Sequence, residues 1–159
     1  MAEEGGQLQL VTFQLGEEQY GIDIMDVEGI VKVEEVRSIP SAPPYVEGIF
    51  NLRGDIIPVI NLHRRFHIRR ANLSEEDALL SGFVIINIDE MQLAVIIDRV
   101  SRVVTVDRHE IQPPPQMLSG IGSEYIDGVV RRDEGYLIII DTRRLFNVGE
   151  LQQLNRMSR

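Results

Sequence analysis

The chain has no cysteine and no tryptophan, and it holds a single lysine, Lys32, among sixteen cationic residues. The missing cysteine excludes disulfide frameworks, thiolate nucleophiles and zinc sites built on sulfur. The near-absence of lysine makes arginine the working cation, which favours planar, bidentate carboxylate contacts over loosely hydrated ammonium ones. Long apolar runs are also lacking. A membrane span needs about 18 apolar residues in a row, and stretches such as Leu137 to Ile140 have only strand length. Residues 1–7 carry two acids, no basic residue and no apolar run, so they do not read as a secretory signal. A disordered 1–7, a cytoplasmic location and no direct membrane insertion are the expectations. In that location the sequon Asn72-Leu-Ser74 has no meaning.

What is present is ordinary for a globule: 159 residues, 43% hydrophobic and 26% charged, enough for one self-supporting core. The formal charge of −9 repels phosphate backbones and anionic surfaces. Nucleic acid is therefore disfavoured, and protein partners are expected. The charge is uneven. Residues 1–50 hold ten acids against Lys32 and Arg37, whereas 51–70 hold Asp55 against Arg53, Arg64, Arg65, Arg69 and Arg70.

Short β-branched runs dominate: Leu8 to Leu15, Tyr20 to Ile24, Ile56 to Ile60, Phe83 to Ile88, Leu93 to Ile97, Val103 to Val106 and Tyr136 to Ile140. Gly16-Glu-Glu-Gln19 and Asp89-Glu-Met-Gln92 are connections of hairpin length. Helical signals are brief. One turn fits Asp26 to Ile30, a capped segment fits Asn61 to Phe66 with a similar one at Asp141 to Phe146, and residues 147–159 read as a C-terminal helix or tail.

An internal repeat organises these runs. A gapless shift of 80 residues lays Tyr45-Val-Glu-Gly48 over Tyr125-Ile-Asp-Gly128, Asn61 over Asp141, Arg64 over Arg144 and Phe66 over Phe146. The 22-residue window holds five identities. A shift of 73 aligns Gln19, Val27, Val31 and Pro40 with Gln92, Val100, Val104 and Pro113. Repeats of this kind mark duplicated structural units. Four or five strands per half suit a small barrel that closes its own edges. The expected architecture is all-β with short helices: two five-stranded barrels packed on each other, approximately 8–67 and 82–146, joined through Ile68 to Ser81. The groove between them is the natural binding surface. Whether the first strand instead completes the second barrel is left open.

Candidate chemistry is thin. His63 and His67 share a helical face, but two ligands amid four arginines do not make a metal site, and a solvated face is the simpler expectation. His109 supports no triad. Ser119-Gly-Ile-Gly-Ser123 lacks the lysine and the helix of a phosphate loop. Asp23, Asp98 and Asp141 end apolar strands and are expected as turn or cap residues rather than catalytic carboxylates. The basic cluster from His63 to Arg70 is read as a solvated or protein-facing edge, since Phe66 alone is aromatic there and its repeat mate Phe146 argues for a core role. Asn51-Leu-Arg-Gly-Asp55 differs in kind, because the second half does not repeat it. A glycine-permitted turn would hold Arg53 on a rigid base beside the groove, with a simple turn salt bridge as the competing reading.

Phe13-Gln-Leu-Gly-Glu-Glu-Gln-Tyr-Gly-Ile-Asp-Ile24, Gly48-Ile-Phe-Asn-Leu-Arg-Gly54 followed by Ile57-Pro-Val-Ile-Asn-Leu62, and Ala94-Val-Ile-Ile-Asp98 with Val100 and Val103 resemble, in this order, the CheW family of chemotaxis coupling proteins. The resemblance runs from about Leu8 to Phe146. It implies a single domain over 8–146 made of two SH3-like barrels, no catalytic residue and no cofactor or metal. It also implies an adaptor between a CheA-type histidine kinase, through its regulatory domain, and the cytoplasmic tips of methyl-accepting chemoreceptors, recruited to membrane-associated arrays. Carried over by position, the receptor groove would involve Val27, Gly48, Arg53, Ala94, Val100 and Val103, with Asn51 and Gly54 from the same motif. Ile30 and Val33 are further apolar contacts, and Glu28 stands in for an acid that relatives carry at the position of Gly29. A hydrolytic or RNA-binding small barrel is the alternative.

Overall fold

Runs of Val, Ile and Leu bounded by two-residue turns form ten strands among the described residues of the computed structural model, which are 6–114, 123–132 and 135–158. They are β1 (Gln7–Leu15), β2 (Glu18–Asp23), β3 (Val27–Val31), β4 (Val46–Leu52), β5 (Asp55–Ile60), β6 (Gly82–Ile88), β7 (Met91–Ile97), β8 (Arg99–Asp107), β9 (Ile126–Arg132) and β10 (Gly135–Ile140). The helices are short: α1 (Leu62–Phe66), α2 (Glu75–Ala78) and α3 (Val148–Met157). No helix among the described residues is long and apolar enough to cross a membrane.

The strands make two five-stranded sheets with orders β8-β1-β2-β10-β9 and β3-β6-β7-β5-β4. Each curls into a small SH3-like barrel, here barrel A and barrel B. An isolated bridge completes each: Gln112 to Val129 in barrel A and Arg37 to Ile49 in barrel B. The repeat relates the two strand for strand. Shifting by 73 carries β1, β2 and β3 onto β6, β7 and β8, and shifting by 80 carries β4 and β5 onto β9 and β10. Even the bulges correspond, since β4–β5 and β9–β10 slip register at matching residues.

The division expected at 68–81 does not follow the sheets. Barrel A combines β1 and β2 with β8, β9 and β10, and barrel B combines β6 and β7 with β3, β4 and β5. Each barrel thus takes two strands from one repeat and three from the other. The cause is local. After β2 a 3-10 turn at Ile24–Asp26 carries the chain into the other sheet, and after β7 Asp98 alone makes the equivalent crossing. The single helical turn expected over Asp26 to Ile30 is likewise corrected, because Val27 to Val31 pairs antiparallel with β6. Pairing and β-branching outweigh a weak local helical signal.

This exchange explains why β6, β7 and β10 are nearly continuous apolar runs. Alternate residues face a barrel interior or the seam between barrels, so both faces are buried. Phe83, Ile85, Ala94 and Ile96 fill barrel B, while Val84, Ile86, Leu93 and Val95 join the seam. Leu137 and Ile139 fill barrel A, while Ile138 and Ile140 join the seam. The seam is the largest core and includes Phe13, Tyr20, Phe66 and Phe146, so Phe66 and its repeat mate are both core residues.

The helices follow their caps. The Asn61 side chain accepts from the Arg64 amide at 3.0 Å to start α1, and Asp141 accepts from the Arg143 amide at the equivalent 3-10 turn. Asn147 and Glu150 form a reciprocal capping box on α3. Helix α3 is bolted down by Arg65. Its Nη1 and Nη2 donate to the Glu150 carboxylate at 2.9 and 2.7 Å, Nη2 also donates to the Leu145 carbonyl at 2.8 Å, and the guanidinium lies 4.7 Å from the Tyr45 ring centre. Burial would weaken the Arg65 charge, but the Glu150 hydrogen bond outweighs it and raises its pKa. Replacing it in Arg65→Met keeps the stem, removes the fork and leaves Glu150 half-buried without its cation. The expected loss is about 2 kcal/mol, read from urea midpoints, and an unchanged midpoint would show the bolt to be ornamental.

Candidate protein-interaction surface

The β4–β5 hairpin closes through Arg53 and Gly54 alone, with Leu52 opposite Asp55. Both turn residues have positive φ, 54° and 93°, the geometry of a type I′ turn. Arginine is a poor fit there, costing about 1 kcal/mol. The Asn51 side chain offsets part of that by accepting from the Gly54 amide at 2.9 Å. The turn therefore presents an exposed guanidinium on a rigid hairpin. Among the described residues Arg53 makes no ion pair, so the simple turn salt bridge is absent. Strained, exposed residues on rigid turns are where binding functions concentrate.

The edge strands β3 and β8 are repeat mates, and so are the apolar residues on them. Val27 pairs with Ile86 and Val100 with Phe13, and both are half-buried against the seam. Ile30 and Val103 occupy equivalent outward positions and are 44% and 50% exposed. Val33, beyond the end of β3, is 56% exposed. Ile30, Val103 and Val33 thus leave apolar surface open to solvent, above Val27 and Val100, which pack against the core. Glu28 is held in place. Its two carboxylate oxygens accept from Asn87 Nδ2, at 2.6 Å, and from Gln92 Nε2.

Two of the expected contact residues are buried. Ala94 is fully enclosed in the core of barrel B, paired with Ile85 and Val59. Gly48 is buried where a Cβ would overlap the Arg37 carbonyl and Val36. Either could affect a partner only through the barrel itself. The exposed set is Glu28, Ile30, Val33, Asn51, Arg53, Gly54 and Val103, with Val27 and Val100 half-buried beneath it.

The basic cluster is a solvated edge at Arg64, His67, Arg69 and Arg70, but not at His63 and Arg65. His63 is 3% exposed and its Nε2 lies 2.9 Å from Asp98 Oδ2. Arg65 is half-buried, its guanidinium within 5.3 Å of the Tyr45, Tyr125 and Phe146 ring centres. His67 is exposed and ends α1 in the left-handed conformation. Asp98 is likewise more than a turn residue. Its Oδ2 also accepts from the amides of Gly16 at 2.7 Å and Ala71 at 3.0 Å, and Oδ1 lies 3.4 Å from Arg70 Nε. Burial would raise the Asp98 carboxyl, but the His63 hydrogen bond and the two amides hold it below the usual carboxylate range. Periodicity carries no signal for this hub, because its members come from four separate segments. Asp23 and Asp141 cap turns as expected. Among the described residues no group of three or more His, Cys, Asp or Glu could hold a metal. The Ser119–Ser123 stretch lies almost wholly outside the described residues.

Residues 9–150 match the CheW-like domain family. The chain is 59% identical over 154 residues to the chemotaxis protein CheW of Treponema pallidum, covering 97% of this chain and 91% of that one. It is 28% identical to CheW of Klebsiella aerogenes over 95% and 89% of the two chains. Among solved structures it resembles the scaffolding protein TtCheW from Thermoanaerobacter tengcongensis with a TM-score of 0.79 and 37% identity, covering 91% of each chain. A two-barrel fold and a match along nearly the whole length lead to one conclusion: the chain belongs to the CheW family of chemotaxis scaffold proteins.

Proposed function

We propose that this protein couples a CheA-type histidine kinase to the cytoplasmic tips of methyl-accepting chemoreceptors, recruited to a membrane-associated array, by binding both at once and without catalysis. The observation that carries the reading is the contact set on β3, β8 and the β4–β5 turn, where Ile30 and Val103 stay half-exposed and Arg53 is strained yet unpaired among the described residues. The apolar residues offer anchors, and Arg53 offers a charge-assisted hydrogen bond to a polar receptor group. Coupling then works by mass action. Holding kinase and receptor together raises their effective concentration, and a receptor state that favours one kinase geometry shifts its population.

The test is a sedimentation titration against a chemoreceptor cytoplasmic fragment and a CheA regulatory domain, separately and together, at two salt concentrations. Binding to both at once is expected. Arg53→Glu is expected to weaken receptor binding by at least about tenfold while leaving the urea midpoint unchanged. Full receptor affinity in that variant overturns the site, and binding to neither folded partner overturns the function.

A further inference from the structure

The segment 68–81 that joins the two repeats leaves Leu79 81% exposed and Leu80 41% exposed. Scattered single apolar residues on a surface call for no explanation, but an adjacent pair on an ordered segment does. The segment is ordered by its own bonds. Ser74 caps α2 by accepting from the Asp77 amide at 3.1 Å, and the amides of Leu79, Leu80 and Ser81 donate to the Glu76, Asp77 and Ala78 carbonyls at 3.2, 2.9 and 3.2 Å. The Asp77 carboxylate lies 3.4 Å from Arg99 Nε, which ties α2 to the start of β8. None of these bonds uses a leucine side chain, so the folding of the segment gives no reason for the pair.

Its position does. The Val100 amide donates to the Leu80 carbonyl at 2.8 Å, and a Cβ at Gly82 would lie 4.0 Å from Ile30 Cγ2. Residues 80–82 therefore run from the β8 edge of barrel A to the β3 edge of barrel B. Both edge strands are bulged. Val27 and Ile30 stand opposite Ile86 and Val84, and Val100 and Val103 stand opposite Phe13 and Val11. The bulges thus put residues three apart on one face. Ile86, Val84 and Phe13 belong to the seam, so both pairs lie on the seam side of their barrels. The leucines join these two apolar pairs, which strand pairing alone leaves on separate sheets.

We propose that Leu79 and Leu80 carry the receptor contact surface across the connector, where an amphipathic helix of the receptor tip lays its apolar stripe and sets basic residues beside α2. The anchors come from three segments and run across strands instead of along one edge. That suits a helix, whose backbone bonds are already closed, better than an added strand. Glu75 and Glu76 are exposed in the first turn of α2, which fixes the sign of the charges that flank the stripe. This inference rests on the coupling function, because it adds residues and a charge pattern to the receptor side of that reading.

The experiment titrates the chemoreceptor cytoplasmic fragment and, separately, the CheA regulatory domain against parent and variant chains. Leu79→Glu, at an exposed position, is expected to weaken receptor binding about tenfold with the urea midpoint and kinase-domain affinity unchanged. Leu79→Met keeps an apolar side chain and is expected to stay within about twofold of the parent. Glu76→Lys is expected to weaken receptor binding about threefold and to flatten its salt dependence. Full receptor affinity in Leu79→Glu, alongside a loss in Arg53→Glu, overturns the connector contact and leaves the coupling function standing. Loss of kinase-domain binding in Leu79→Glu, or tighter receptor binding in Glu76→Lys, overturns it equally. A parent chain that does not bind the receptor fragment overturns the coupling function and this inference together.

Discussion

Asp98→Asn is expected to lower the unfolding free energy by about 3 kcal/mol, the upper end of the cost of disrupting hydrogen bonds to a buried charged group. The carboxylate is 1% exposed and receives the Gly16 amide, the Ala71 amide and His63 Nε2 at one oxygen. It therefore ties the β1–β2 turn, helix α1 and the start of the connector to the end of β7. An amide has no charge to offer those donors, and its NH₂ group would face them if flipped. The pH dependence has a definite sign. Because the folded-state pKa of Asp98 lies below the usual value, its contribution is complete above the unfolded pKa near 4 and is lost as pH falls through the folded value. Glu150, lowered by Arg65 and the Asn147 amide against the effect of burial, behaves the same way. Urea titrations across the acid range should show a steep loss of stability in the parent chain and a shallower one in Asp98→Asn. A variant loss below about 1 kcal/mol, within the range of ordinary surface changes, would remove Asp98 from its structural role.

Gly48→Val is expected to cost about 3 kcal/mol through overpacking, and to disable partner binding only as a consequence. The bridge between Arg37 and Ile49, with hydrogen bonds of 2.8 and 2.9 Å, closes barrel B beside β4. A side chain at Gly48 would overlap the Arg37 carbonyl and Val36, so the segment carrying the bridge must detach. Gly128 occupies the matching place in barrel A, where a Cβ would meet Ile111 and the Gln112 carbonyl. Hydrogen exchange separates structure from contact. Gly48→Val should lose protection at the Arg37 and Ile49 amides together with receptor binding, whereas Arg53→Glu should lose binding with protection intact. Preserved protection in Gly48→Val alongside lost binding would return Gly48 to the contact surface.

Much was legible in the sequence because strand formation and capping are local. Seven apolar runs became strands with ends within a few residues of expectation, and Asn61, Asp141 and the C-terminal helix took their expected places. Strands β4 and β9 were harder to see, because Gly48 and Gly128 interrupt their apolar runs at the points where another backbone segment presses close. Within the basic stretch from His63 to Arg70, two members departed from the expected solvated edge for a related reason. Burial of His63 and Arg65 depends on Asp98, Glu150 and the Tyr45 ring, which are distant along the chain.

Residue order by itself determined the duplication, the all-β class and the Arg53 turn, since each rests on spacing and on residue types within a few positions. Tertiary structure alone decided how the repeats share their strands. A two-residue hairpin dictates its own pairing, but β2 beside β10 and β7 beside β5 are parallel pairs between distant segments. Nothing local distinguishes those partners from their repeat mates. The crossing turns at Ile24–Asp26 and Asp98 select one arrangement over the other, and the apolar seam between the barrels forms only once that selection has been made.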